Sequence, residues 1–266
     1  MKSHGIQVAR LDREEPKRRA LVNHKTDEPV TPIHERYRNV FRELGFEAPD
    51  NFTHLYEGRK WPVSPIVPTK EEGQRWIAVS PFSSHRQKAY PLEQMEQVIE
   101  ELSKRENYHI FLMGGGKAEK IALRPIARKY KNVTSMAEVK HKFIDEYVLL
   151  GQCDVMLTME SANMHLASLV DLQAITVWGP TSPACGYLGY NQMDEDDIQL
   201  DMPCRPCSIT GDKPCKFGDF RCLKNIPPER IAKHVIDAVE YNAEHNTKHT
   251  KLAKSRGAAQ AQEKQD

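Results

Sequence analysis

The chain lacks any apolar run of the roughly 18 to 20 residues that a spanning helix needs, and its opening MKSHGIQVARLDREEPKRR has no apolar leader segment. Both absences lead to the expectation of a cytoplasmic protein. Charge of one sign is lacking too: 38 Lys and Arg stand against 37 Asp and Glu, a net +1. Bulk electrostatics therefore select neither nucleic acid nor a membrane surface as partner. Cysteine is scarce, six in 266 residues, and in a reducing compartment a clustered set points to metal rather than disulfides. Also missing are the G-x-G-x-x-G and P-loop fingerprints and the G-x-S-x-G elbow of α/β hydrolases.

What is present begins with a polar amino-terminal stretch. IQVARL is a short strand candidate, and TPIHERYRNVFRELGF predicts a helix with Ile33, Tyr37, Val40, Phe41 and Leu44 on one face. Residues 47–74, rich in Pro, Gly and charge around WPVSPIVP, read as an irregular connector. From Trp76 a regular alternation starts. WIAVS, YHIFLM, DVMLT and AITVW are short apolar β-rich runs, NVTSM is a weaker one, and helical segments such as PLEQMEQVIEELSKRE separate them. Strand and helix in alternation, with continuously apolar strands, predict a parallel sheet covered on both faces.

In such sheets the loops at the carboxyl ends of the strands form the binding crevice. Four loops follow from that rule. SPFSSHRQKAYP offers three serines and nearby cations to a phosphate, or merely caps a helix. MGGGKAEK supplies glycines that let backbone approach a ligand, and Glu119 to accept from a ribose hydroxyl. The third is TMESANMHLA and the fourth WGPTSPACGYLGYNQ.

In the third loop, Ser161 and His165 stand four apart, as a nucleophile and its base would on a helix, but a third orienting group is not evident. Metal needs more ligands than Glu160 and His165 supply. Two readings remain. One is a plain helix start, with Glu160 and Ser161 complementing the dipole and Met164, Leu166 and Leu169 packing; the other is a ligand cradle built from the same free N–H groups. Spacing does not separate them.

The stretch ESANMHLASLVDLQAITVWGPTSP, followed by GYNQ and PCRPC, resembles the second half of glycosyltransferase family 9, the ADP-heptose lipopolysaccharide heptosyltransferases. That family shows D-[ST]-x-x-x-H-L-A, a short strand, then G-P-T-x-P. SPFSSHRQKAYP and MGGGKAEK resemble its phosphate and donor loops, so the likeness spans roughly residues 76 to 235.

The resemblance implies a GT-B fold, here one complete Rossmann-like domain (75–226), preceded by a truncated remnant of the acceptor-side domain (1–46) and a linker (47–74). It implies an ADP-sugar donor, a lipopolysaccharide or related glycan acceptor, and transfer of heptose with inversion. Ser83, Ser84 and Lys88 would meet the donor diphosphate, Gly114, Gly115 and Glu119 the ribose or adenosine. Glu160, Ser161, Ala162, Asn163 and His165 would lie under the diphosphate and sugar.

Two features depart from the family pattern. Glu160 stands where Asp is usual, one methylene longer, and the acidic residue that serves as catalytic base is expected in the missing part of the first domain. No residue present is assigned that role. An inactive nucleotide-sugar-binding remnant is thus the alternative function.

Cys204, Cys207, Cys215 and Cys222 form C-x2-C-x7-C-x6-C, a spacing that suits a structural zinc as well as free thiols. Catalysis of the expected kind needs no cofactor, and a nucleic-acid knuckle is disfavoured by the neutral charge. PPERIAKHVIDAVEYNAEH (227–245) predicts a docking helix, with Ile231, Val235, Ile236 and Val239 on one face. Residues 246–266 are expected to be a disordered tail, whose basic charge leaves peripheral contact with the cytoplasmic face of the inner membrane open.

Overall fold

The computed structural model describes residues 6–245; the expected tail, 246–266, lies outside them. In chain order the elements are α1 (Glu15–Val22), α2 (Ile33–Glu43), β1 (Arg75–Ser80), α3 (Leu92–Ser103), β2 (Tyr108–Leu112), α4 (Gly116–Lys129) and β3 (Val133–Ser135). There follow α5 (Phe143–Leu150), β4 (Val155–Met159), α6 (Ala162–Leu169), β5 (Ala174–Val177), β6 (Asp197–Ile198), α7 (Arg221–Lys224) and α8 (Pro228–His245). The strands form one parallel sheet in the order β3-β2-β1-β4-β5-β6.

Strands buried on both faces favour apolar side chains on both sides, which is why β1, β2, β4 and β5 read as predominantly apolar runs with only Arg75, Ser80, His109, Thr158 and Thr176 among them. Ile77 and Val79 face one layer with Val98 and Leu102 of α3, Leu123 of α4 and Val235 of α8. Trp76 and Ala78 face the other with Leu149 of α5 and Met164 and Ala167 of α6. Helix α8 buries Ile231, Val235, Ile236 and Val239 as the spacing predicts. It packs on α3 and β4 of this same sheet. No helix among the described residues is long and apolar enough to cross a membrane.

One expectation for the amino-terminal part is corrected. IQVARL forms no strand; it lies as irregular, largely exposed chain with no strand partner, and a ladder needs one. The polar stretch after it forms α1, which buries only Leu21 and so gives no periodic apolar signal. In α2 the apolar stripe is covered only in part: Ile33, Val40 and Leu44 are half-buried, Tyr37 and Phe41 are each 55% exposed, and the fully buried residue is Arg36, one turn from both Ile33 and Val40. Helical spacing tells which residues share a face, and here the loop after β5, through Tyr187, covers the side that carries Arg36.

That loop holds the segment in place. Val30 donates its N–H to Ala184 O at 2.8 Å and Ile33 to Gly186 O at 2.8 Å. Glu14 accepts at its carboxylate from both the N–H and the hydroxyl of Thr31, at 2.9 and 3.0 Å.

The edge strand β6, which the sequence pattern does not reveal, carries a testable anomaly. Asp197 accepts from Trp178 Nε1 at 2.6 Å, while its Oδ2 is buried without a partner. Burial, reinforced by neighbouring Asp194, Asp196 and Glu195 against the Trp178 bond, pushes its carboxyl up to about 8. The folded chain then holds a proton that the unfolded chain has lost. Stability is full below the ordinary carboxylate pKa and is expected to fall between about pH 4 and pH 8, by up to ~1.4 kcal/mol per pH unit. Asp197→Asn keeps the acceptor for Trp178 and should flatten that decline in thermal melts; an unchanged pH profile would rule the assignment out.

Candidate functional site

Strand order reverses between β1 and β4, which continue outward in opposite directions to β2 and β5. Such a switch point opens a crevice at the carboxyl ends of the two central strands. The loop after β1 carries Ser83, Ser84 and Lys88, and the loop after β4 carries Glu160 and Ser161. Adjacent pairing, with Ser80 opposite Thr158, brings these loops together.

At the centre is a buried ion pair. Lys88, 6% exposed, donates from Nζ to Glu160 Oε1 at 3.0 Å, and Glu160 is 7% exposed. The second carboxylate oxygen accepts from Thr181 Oγ1 at 2.9 Å, and the Glu160 carbonyl accepts from Ser83 Oγ at 2.9 Å. Burial pushes the Glu160 carboxyl above its ordinary value, against the pull of Lys88 and Thr181. The stem of Lys88 is covered by the cysteine-rich loop: a Cβ on Gly211 would stand 2.4 Å from its Cγ and Cδ. Only glycine permits that approach, and Gly211 also has φ +74.

Ser161 caps α6. Its backbone is extended and its Oγ accepts from Asn163 N at 3.2 Å, which aims the first turn of the helix at the crevice. Asn163 turns its amide to Ser80 Oγ, and Ala162 is exposed at the first turn. His165 is partly buried; burial lowers its pKa, with Lys88 and His34 adding to the effect. It therefore stands as a neutral imidazole at pH 7. With His34, Asp50 and Tyr190 it lines a cavity of about 380 Å³.

Gly114, Gly115 and Glu119 sit one strand over, at the same sheet end, with Met113 N bonded to Val79 O at 2.8 Å. They do not join the Lys88 network. Glu119 accepts from Gly115 N at 2.7 Å, and Gly116 opens α4 at φ +73. Ser84 is exposed on the rim. Thr181 and Ser80 escaped the sequence reading; the G-P-T motif was visible, but nothing in it says that Thr181 reaches the carboxylate.

Cys204, Cys207, Cys215 and Cys222 line one cavity of about 740 Å³ together with Asn23, Gln87 and Pro180. Burial pushes the Cys222 thiol up to about 11. As arranged, the thiols line a cavity rather than a cage: among the described residues no three His, Cys, Asp or Glu side chains are gathered to hold one ion.

The model of glycosyltransferase family 9 (heptosyltransferase) matches residues 10–216. The chain belongs to glycosyltransferase family 9. Among curated proteins, the family 9 chain is similar to lipooligosaccharide heptosyltransferase 2 of Campylobacter jejuni subsp. jejuni serotype O:6. Identity is 24% over 137 residues, covering 49% of this chain and 41% of that protein. Its serotype O:2 counterpart is 25% identical over 133 residues, 47% and 39% of the two chains. The match thus spans well under half the length of these relatives.

Among solved structures, the family 9 fold is shared with the Veillonella parvula family 9 glycosyl transferase. The TM-score is 0.58 at 14% identity, over 90% of this chain and 64% of that one. It is shared as well with E. coli heptosyltransferase WaaC with ADP, at TM-score 0.53 and 16% identity, over 77% and 56%. Both likenesses concern the fold, which is GT-B-like.

Proposed function

We propose that the switch-point crevice binds an ADP-sugar and that the chain contributes the donor side of a heptosyl or related glycosyl transfer. The observation that carries this reading is the buried Lys88–Glu160 pair beside the capped start of α6. A diphosphate leaving group needs positive charge and oriented N–H donors where its own charge develops. Lys88 supplies the first and α6 the second; Ser83 and Ser84 reach the phosphates from the opposite loop. Gly114 and Gly115 allow the nucleoside close to the backbone, with Glu119 accepting from the ribose. The ADP and the ADP-sugar analogue in the WaaC structures support a donor of this class.

His165, neutral and on the same helix, hydrogen-bonds a phosphate oxygen or a sugar hydroxyl. Glu160 is spent on Lys88 and Thr181, so it orients the lysine and does not take the acceptor proton. Inversion at the anomeric carbon proceeds through an oxocarbenium-like transition state and needs a base on the acceptor hydroxyl; none of these residues is given that role. The acceptor is a lipopolysaccharide core or related glycan. No metal is needed at the reacting centre when Lys88 offsets the diphosphate.

Calorimetric titration of the purified chain with ADP and ADP-heptose, beside a transfer assay, tests the reading. Binding of ADP is the expected result, and absence of binding by either nucleotide sinks the donor site. Binding without transfer to a lipopolysaccharide acceptor would favour a nucleotide-sugar-binding role alone.

A further inference from the structure

The cavity of about 740 Å³ at the cysteine-rich loop takes no part in the chemistry above, and its wall has two independent peculiarities. The first is charge. Arg205, Lys213, Lys216 and Arg221 line it and no Asp or Glu does, in a chain whose acids and bases are otherwise balanced. These cations are also little neutralised. Only Arg221 has a carboxylate partner, Asp219 at 2.5 Å. Arg205 spends its guanidinium on the carbonyls of Gly179, Leu200 and Thr181 and on the Gln199 side chain. Lys213 and Lys216 are exposed and form no ion pair among the described residues; Lys216 Nζ rests 5.9 Å from the centroid of the Phe217 ring.

The second peculiarity is sulfur. Four of the six cysteines open on the same wall: Cys204, Cys207 and Cys215 are half-buried and Cys222 is buried, all as free thiols. They are not drawn together around an ion. Cys215 stands apart from the rest, because the backbone N–H groups of Phe217, Gly218, Asp219 and Phe220 hydrogen-bond its sulfur. A partly open sulfur among N–H donors and cations is the setting of an attacking thiolate. Positive charge selects an anion, and a set of free thiols selects a partner with which sulfur exchanges.

We propose that this cavity is a thiol–disulfide exchange site for an anionic disulfide, one that carries carboxylates, with Cys215 as the attacking sulfur. Lys213 and Lys216 hold the carboxylates. The Cys215 thiolate, its proton already given to water, attacks one sulfur of the bound disulfide. An S–S bond to Cys215 forms, the original S–S bond breaks, and the departing thiolate leaves with the electron pair and takes a proton from water. Cys204 or Cys207 then gives its proton to water, displaces the second thiolate from Cys215 and closes a disulfide within the loop. One disulfide is reduced to two thiols and two cysteines are oxidised, so electrons and protons balance. The site does not depend on the transferase reading, although it borders the switch-point crevice: Gln87, next to Lys88, lines it, and Gly211 of the same loop packs on the Lys88 stem.

The test follows thiol loss in the full chain with glutathione disulfide, which is anionic, cystamine, which is cationic, and hydroxyethyl disulfide, which is neutral. Each rate is divided by that of the chain unfolded in urea, which cancels the reagent's own reactivity. Glutathione disulfide should then outpace cystamine by ~10-fold or more, the enrichment that a cleft of one sign gives, and added salt should shrink the ratio. Peptide mapping should find glutathione on Cys215 in Cys204→Ser/Cys207→Ser, and a disulfide from Cys215 to one of that pair in the wild type. Cys215→Ser should lose the reaction. The exposed pair Lys213→Ala/Lys216→Ala should keep it while losing the preference for the anionic reagent, and this variant decides the matter if Cys215→Ser fails to fold.

Equal normalised rates for glutathione disulfide and cystamine overturn the proposal, as does an adduct that maps to a cysteine other than Cys215. A purified chain that carries one equivalent of zinc or iron on these sulfurs, and that ignores every disulfide until the metal is stripped, overturns it in favour of a structural metal.

Discussion

Lys88→Met is expected to destabilise the chain by ~3–5 kcal/mol, because it strands the Glu160 carboxylate in a buried site. It should also weaken ADP binding by roughly 10- to 100-fold, the worth of one charge-assisted bond. The two losses have different causes and a second mutation separates them. In Lys88→Met/Glu160→Gln the amide oxygen still accepts from Thr181, and no charge is left behind. Thermal melts should return most of the stability, while calorimetry should still find ADP weakly bound. Recovery of ADP affinity in the double variant would show that Lys88 acts only as a counter-ion to Glu160.

The single variant's deficit should also depend on pH. Burial already raises the Glu160 carboxyl, and removing Lys88 raises it further. The penalty is therefore largest at neutral pH and above, and it narrows as the pH falls through the carboxyl's folded pKa and the group takes up a proton.

A large effect is expected also from Gly186→Val. Gly186 has φ +80, and a Cβ there would lie 2.8 Å from Thr31 O and 3.0 Å from Val30 O. These are backbone atoms that rotation of a side chain cannot relieve. A β-branched residue adds left-handed strain to that clash, for a cost of roughly 3 kcal/mol or more. The strain falls on the bonds that hold residues 30–33 to the loop after β5, so the segment carrying α1 and α2 should come away first. Limited proteolysis should then cut between residues 24 and 50 while the sheet's circular dichroism persists. Gly186→Ala should show the same pattern more weakly, and uniform unfolding of the whole chain would argue that segment and sheet form one cooperative unit.

How far the sequence reaches is clearest by comparing elements. The four strongest strands were legible because a parallel strand covered on both faces is apolar on both sides, with few polar positions to interrupt it. β6 was not: two residues at the end of the acidic run DEDD carry no periodicity. α1 was missed because one buried leucine makes no stripe, and α2 was found as a helix, but pattern does not specify the neighbour and so does not say which part of its stripe is covered.

For the candidate site, the rule that ligands gather at strand carboxyl ends picked out loops that do converge, and Ser83, Lys88 and Glu160 meet as a result. Thr181 was out of reach, since its role depends on where the loop after β5 turns. The burial of Arg36 on α2 was hidden more deeply. A helix residue flanked by charged neighbours reads as surface, and only the packing of Tyr187 across it makes it unusual.

The switch point has a further consequence, for the order in which the chain acquires its parts. β1, β2 and β3 are wound consecutively, but β1 finds its other neighbour only when Val155 arrives opposite Ile77. Pairings of such long sequence separation form late, because the entropy of closing the intervening chain is spent before any contact is gained. The lysine and its carboxylate lie on opposite sides of that last seam. A partly folded chain with its first three strands in place therefore has Lys88 but no Glu160 and no helix start to complete the crevice. Completion of the crevice and completion of the sheet are then the same event, and any ligand that spans the seam would also act as the clasp that closes it.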